Sequence, residues 1–300
     1  MTTELVRSSF IKLLRTLKGN PKLVSVKRSI WGKYFGFRQK YFDFNRLNLC
    51  RTFPLFTPHS AGAYKARARL TIQAVNQTIP LLSTFAMSVV PIQQNITNIK
   101  NFPASDEELE AAREIKVYFD KYGSDKGSND YHKVYGPLLK NRNEIRGILE
   151  IGMGTNNTDV VSNMALWGHP GASLRAFRDF LKSAMIFGAD VDKRILFEDE
   201  RIKTFFVDQT DPATFAELGK SIPSNLDLVI DDGLHSPNAN LETLKFGLTK
   251  IRIGAWVVVE DIAPEALPLW EVVSVLLPSN YKPHIIRAES AFLFAVQRLN

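Results

Sequence analysis

From residue 147 to the C-terminus, short apolar runs alternate with stretches that repeat at helical spacing. The runs Gly147–Ile151, Ala184–Ala189, Thr204–Val207, Leu226–Ile230 and Ala255–Val259 are each strand-sized. Helical stretches at Ser173–Lys182, Pro212–Lys220 and Asn238–Thr249 separate them. Continuous apolar strands divided by helices are the mark of a parallel sheet covered on both faces. The chain closes differently. Pro264–Leu277 reads as a helix, and His284–Arg287 and Ala291–Val296 are strands joined across Glu289–Ser290, a turn so short that the pair must be antiparallel. The pattern therefore predicts an α/β, Rossmann-like, mostly parallel seven-stranded sheet with a C-terminal antiparallel hairpin.

Upstream the pattern is basic and mainly helical. Val6, Phe10, Leu13 and Leu17 recur at helical spacing across residues 3–18, with Arg7, Lys12, Arg15 and Lys18 among them. This predicts a basic amphipathic helix that docks on the body of the protein or a sister subunit, with a membrane-surface contact as the alternative. Leu70–Pro91 is apolar, yet Gln73, Asn76, Gln77, Thr78 and Pro80 interrupt it. It predicts one helix, or two broken at Pro80, and no transmembrane span, since each polar group is costly in hydrocarbon. Between these stretches Trp31, Tyr34, Phe37 and Tyr41 alternate with Lys33, Arg38 and Lys40. Such interleaving can stack on single-stranded nucleic acid, but no glycine-framed RNA-binding motif accompanies it, so nucleic acid is not favoured as a partner. The run 101–106, with Pro103 and Ser105, reads as a boundary, Ser105 capping a helix over Glu107–Phe119. The division is residues 1–105 and 106–300.

Charge divides the chain in nearly the same place. Of the 300 residues, the first hundred hold 16 Lys+Arg against 2 Asp+Glu, and the rest hold 22 against 29. The net charge of +7 thus conceals +14 followed by −7. An acidic acceptor, or the acidic domain of a sister subunit in a homo-oligomer, is the natural counterpart of the basic part. One cysteine, Cys50, excludes an internal disulfide and a four-cysteine zinc site. With no uninterrupted apolar core of a signal peptide near the start, a cytoplasmic location is expected.

The polar residues fall where such a sheet puts its chemistry. Five strands run into acids: Glu150, Asp190, Asp208, Asp231 with Asp232, and Glu260 with Asp261. Ligands of open α/β sheets bind outside the carboxyl ends of the strands. Gly152 and Gly154 form a glycine turn after the first strand that lets a ligand approach the backbone. A dinucleotide fingerprint would need a small residue where Asn157 stands and an acid about 20 residues on, whereas Asp190 lies 36 residues past Gly154. The excess is a loop, Thr155–Pro170, before a helix that opens at Gly171–Ser173. NAD is disfavoured. A ligand with ribose but no pyrophosphate suits many carboxylates and no phosphate-gripping cation in the glycine loop, and the sulfonium of S-adenosylmethionine is favoured by negative surroundings.

These segments carry a resemblance. Leu149-Glu-Ile-Gly-Met-Gly154, Gly171–Arg175, Phe187–Asp190, Val207–Gln209 and Ile230-Asp-Asp-Gly-Leu-His235 together resemble class I S-adenosylmethionine-dependent methyltransferases. With Val259-Glu-Asp261 and Tyr122-Gly-Ser-Asp-Lys-Gly127, the chain is most similar to the metal-dependent branch of macrolide sugar O-methyltransferases and cephalosporin hydroxylase-like proteins. The resemblance covers roughly residues 118–300. It implies an O-methyltransferase acting on a hydroxyl of a sugar, glycan or glycosylated small molecule. A catechol-type or other natural-product acceptor is the alternative, and an RNA methyltransferase or nucleic-acid-binding protein the alternative of another class.

Asp232, Glu260 and Asp261 form an all-oxygen set suited to magnesium rather than zinc, and the resemblance implies the same three positions as ligands. His235, three residues past Asp232, is the candidate base. For the cofactor, Glu150 is expected near the methionine ammonium, Gly152 and Gly154 at the backbone approach, and Ser173 near the carboxylate at its helix start. Asp190 is expected on the ribose, with Asp208 and Gln209 at the adenine edge. Asp231 is read either as a cofactor contact or as support behind the site. His132 is left as structural or as lining the acceptor pocket.

Overall fold

The computed structural model describes residues 64–89 and 96–300. The predicted amphipathic helix at 3–18 and the aromatic-basic run at 31–44 lie outside the described residues. The chain forms two compact units, residues 1–81 and 82–300.

Helix α1, Tyr64–Val89, passes through Pro80 as one element, the first of the two expected alternatives. A proline withholds one N–H and crowds the preceding turn, which costs an interior helix about 3 kcal/mol, and 26 residues of helix absorb it. Among the described residues no helix is long and apolar enough to cross a membrane.

The second unit is built on one nine-stranded sheet. Its elements are β1 (Thr97–Asn98), α2 (Asp106–Tyr122), α3 (His132–Leu138), β2 (Gly147–Ile151), α4 (Ala172–Phe180), β3 (Met185–Asp190), β4 (Glu198–Asp199) and β5 (Ile202–Phe206). After these come α5 (Pro212–Ser221), β6 (Leu226–Asp231), α6 (Pro237–Lys250), β7 (Ile251–Ile262), α7 (Leu267–Leu276), β8 (Tyr281–Arg287) and β9 (Phe292–Arg298). The strand order is β1-β8-β9-β7-β6-β2-β3-β5-β4. Strands β5, β3, β2, β6 and β7 run parallel, and β9 lies antiparallel between β7 and β8. The seven predicted strands are all present, and the count of seven is corrected to nine by two-residue strands at the edges. These extra pairings, β1 with β8 and β4 with β5, are too short to leave a hydrophobic pattern, which is why periodicity missed them.

Every residue of β2 and β6 is buried, as a doubly covered parallel strand requires. Alternation then feeds two cores. Ile148, Ile186 and Leu228 face the layer of α2, α3 and α4, where Phe119, Tyr135 and Phe177 meet edge to face with centroids 5.3–6.3 Å apart. Leu149, Phe187 and Val229 face the other layer, anchored by Trp270 against Phe294 at 4.8 Å. Helix α2 starts where predicted: the Ser105 hydroxyl accepts the Glu108 N–H at 3.2 Å, and Glu108 reaches back to the Ala104 N–H at 2.7 Å. The order places successive strands on opposite sides of the β2–β6 pair, so a crevice opens at the carboxyl ends of β2 and β6.

Candidate active site

The crevice is a cavity of about 850 Å³. Its floor is the crossing of the two loops that leave β2 and β6. Gly152 donates to the Ala189 carbonyl at 2.8 Å and Asp232 to the Ile151 carbonyl at 2.8 Å, which ties the loops to the sheet. Gly152 has φ +90°, and a Cβ there would collide with the Asp232 carbonyl. Only glycine serves at that position. Gly154, at φ +75°, sits under the Met164 side chain.

On one side the cavity is lined by Gly152, Gly154, Ser173, Asp190, Asp208 and Gln209, six of the expected cofactor residues. Asp190 closes β3, and its two oxygens accept the backbone N–H groups of Met153 (2.8 Å) and Asp192 (2.9 Å). Burial nonetheless holds its pKa above the usual carboxylate value. Each oxygen keeps a lone pair for a hydroxyl. Gln209 is spent differently from the adenine role expected of it. Its amide donates to Asp231 (2.9 Å) and Thr243 (2.8 Å) and accepts the Leu234 N–H (2.7 Å), so it braces the loop after β6.

Glu150 and Asp231, both fully buried, are not among the lining residues. Glu150 accepts from the Ser173 hydroxyl at 2.6 Å, and Asp231 accepts from Gln209 and from Asn240 at 3.1 Å. His132 is likewise buried and absent from the lining.

Among the described residues, the two Lys and Arg side chains lining the cavity are both committed to carboxylates. Arg194 pairs with Asp192 at 2.6 Å and with Asp159 at 3.0 Å, and holds the Asp192 carboxyl well below its usual range. Lys126, 1% exposed, lies 2.6 Å from Asp232, 2.6 Å from Glu260 and 3.1 Å from Glu150. Burial pulls its pKa down, but the carboxylates of Asp232, Glu260 and Glu150 outweigh burial and hold it well above the usual lysine range. Neither cation is left to grip a diphosphate. Acids and bare backbone therefore fit a sulfonium nucleoside and not a dinucleotide.

On the far side Asp232, His235 and Asp261 converge, with ligand atoms within 4.8 Å of one another. His235 Nε2 is 4.0 Å from both Asp232 Oδ1 and Asp261 Oδ2. A divalent cation held at about 2.0–2.4 Å from each ligand needs ligand atoms roughly 3–5 Å apart, a spacing this set meets, with a histidine nitrogen where the all-oxygen set read from the sequence had Glu260. His235 (φ +55°) and Asp261 (φ +51°) both adopt left-handed backbone without being glycine. Such conformations cost on the order of 1 kcal/mol each and concentrate at functional sites. Glu260, the third ligand read from the sequence, has its oxygens engaged by Lys126 and by the Tyr135 hydroxyl. Tyr131 donates to Asp261 in the same way. Burial first, and the neighbouring carboxylates next, push both phenols up, so they stay protonated donors.

Lys126, Tyr131 and Tyr135 are the site residues that the sequence reading missed. A signal was present: Tyr131 and Tyr135 stand four apart at the start of α3, on one helix face.

No protein-family profile matches the chain. Among curated proteins it is 35% identical over 122 residues to demethylmacrocin O-methyltransferase of Streptomyces fradiae, covering 40% of this chain and 28% of that protein. It is 25% identical over 152 residues to 8-demethyl-8-alpha-L-rhamnosyl tetracenomycin-C 2'-O-methyltransferase of Streptomyces olivaceus, covering 51% and 37%. The chain thus spans roughly a third of the length of these relatives. The solved structure of MycE methyltransferase from the mycinamycin biosynthetic pathway, in complex with Mg and SAH, superposes with a TM-score of 0.50 at 21% identity, covering 62% of this chain and 53% of that one. The chain therefore shares the fold of that structure. The resemblance read from the strand-end motifs agrees with these relatives, and Gly152, Asp190 and Asp232 line one crevice.

Proposed function

We propose that the protein is an S-adenosylmethionine-dependent, magnesium-assisted O-methyltransferase acting on a hydroxyl of a sugar or glycosylated small molecule. One observation carries the reading: the Asp232, His235 and Asp261 cluster opens onto the same cavity as the glycine turn and Asp190. The sugar class draws on the relative named for 2'-O-methylation of a rhamnosyl tetracenomycin.

Gly152, Gly154, Asp190 and Asp208 would hold the cofactor, and Asp232, Asp261 and His235 would hold or face the cation. When bound, S-adenosylmethionine supplies the methyl group, and the cation supplies a Lewis acid that lowers the pKa of an acceptor hydroxyl. The chain's own part is positional and acid–base. Tyr131 fixes the Asp261 carboxylate, Lys126 fixes that of Asp232, and His235, where it faces the cation rather than holding it, would take the acceptor proton. Residues 1–105, with their excess of basic charge, are assigned to assembly or acceptor access.

The test is transfer of labelled methyl from S-adenosylmethionine to a panel of glycosylated compounds, with and without chelator. Methylation of a sugar hydroxyl that stops in chelator supports the reading, and transfer undiminished in chelator removes the metal from it. Asp190→Ala should weaken S-adenosylhomocysteine by about 1.5–3 kcal/mol, the loss of a charge-assisted hydrogen bond, or roughly 10–100-fold in Kd. Calorimetry on the folded variant measures it, and unchanged affinity places the ribose elsewhere.

A further inference from the structure

Lys126 has an arrangement that the proposed reaction does not by itself require. The turn that delivers it is fixed: the Gly127 N–H donates to the Ser124 carbonyl at 3.3 Å, and the Lys126 carbonyl accepts the His132 N–H at 3.1 Å. The ammonium is therefore presented to the strand ends from a rigid segment. There it takes one oxygen each of Asp232 and Glu260 at 2.6 Å, while the Tyr135 hydroxyl takes the other oxygen of Glu260. Asp232 is left with Oδ1 turned toward His235. One carboxylate thus serves both a fixed monovalent cation and the cluster suited to a divalent one.

We propose that Lys126 is a built-in competitor for the divalent cation, occupying oxygens of Asp232 and Glu260 and setting a fixed positive charge beside the cluster, so that divalent binding stays weak and exchangeable. The inference rests on reading Asp232, His235 and Asp261 as a divalent site. Two effects act in the same direction. Like charges on either side of Asp232 repel through a buried, weakly screened path. The oxygens held by the ammonium are also withdrawn from the ligand set. Removing the ammonium reverses both, leaving a cluster richer in free carboxylate and without a competing charge.

The experiment is Mn2+ titration of the full chain, followed by electron paramagnetic resonance of the free ion. Lys126→Met should bind Mn2+ about tenfold or more tighter than the natural chain. Its melting temperature should also rise more on adding Mn2+, because binding to the folded state alone stabilises it. Lys126→Arg keeps the charge and should stay within about threefold of the natural chain. Where Lys126→Met fails to fold, the double variant Lys126→Met with Glu260→Gln removes a buried carboxylate together with the ammonium and should still bind tighter than the natural chain. Equal or weaker binding by the folded neutral variant, or an Arg variant as tight as the Met variant, overturns the proposal. If Asp261→Asn meanwhile abolishes binding to the natural chain, the divalent site itself still stands. Binding that Asp261→Asn leaves unchanged, or no binding by any variant, overturns the site and the proposal together.

Discussion

Asp232→Asn should lower methyl transfer on the order of 10³-fold while leaving S-adenosylhomocysteine affinity within about threefold. Asp232 reaches the cluster through Oδ1 and Lys126 through Oδ2, and its backbone packs on Gly152. The amide keeps the size and the backbone contact but loses the charge that draws a cation and orients His235. The effect should therefore fall on turnover and spare the cofactor, whose contacts lie toward Asp190 and Gly154. Steady-state kinetics beside calorimetry separates the two. A variant that loses cofactor affinity in proportion to turnover would place Asp232 in the cofactor pocket instead. Since Lys126 loses one of its partners, a thermal melt is the control for folding.

Gly152→Ala should destabilise the fold by about 3 kcal/mol or more and abolish cofactor binding. A left-handed residue with a Cβ costs on the order of 1–3 kcal/mol, and forcing that Cβ into the Asp232 carbonyl adds a comparable amount. In a domain of this size the melting temperature should fall by roughly 6–12 °C. The loops after β2 and β6 must part to admit the methyl group, which opens the cavity floor. Gly219→Ala is the contrast. Gly219 lies inside α5, where an added Cβ meets only the Phe246 ring edge at 3.4 Å and the end of Lys250 at 3.6 Å. Alanine there should be neutral or stabilise by about 0.5–1 kcal/mol. A Gly152→Ala melt matching that of Gly219→Ala would show that the loop crossing is not the constraint described.

The strands that carry the site were legible because double burial forces them to be short and continuously apolar. β2 coincides with the predicted run, and β3, β5 and β6 lie within two residues of theirs. The Ser105 cap and the terminal hairpin were legible for equally local reasons. Pro80 left one helix or two open, and the single helix forms because a long helix can tolerate what a short one cannot. The site was readable as a row of strand-end acids, yet their division of labour was not. Glu260 and Asp261 are neighbours in sequence, but one turns inward to Lys126 and Tyr135 while the left-handed backbone of the other turns it toward His235. Lys126 stands in the segment Tyr122–Gly127, which the sequence offered as part of a resemblance but without a role for the lysine. Only tertiary structure brings it to carboxylates 106 and 134 residues away. Gln209 was expected at a ligand edge and instead braces Asp231, a choice set by Thr243 and Leu234, which no local pattern links to it.

What the crevice binds tests the methyltransferase reading most directly. Isothermal titration of S-adenosylhomocysteine into the full, folded chain in magnesium should give a dissociation constant in the micromolar range, about −7 to −8 kcal/mol. A well-folded protein that takes up neither S-adenosylhomocysteine nor S-adenosylmethionine at millimolar concentration would contradict it.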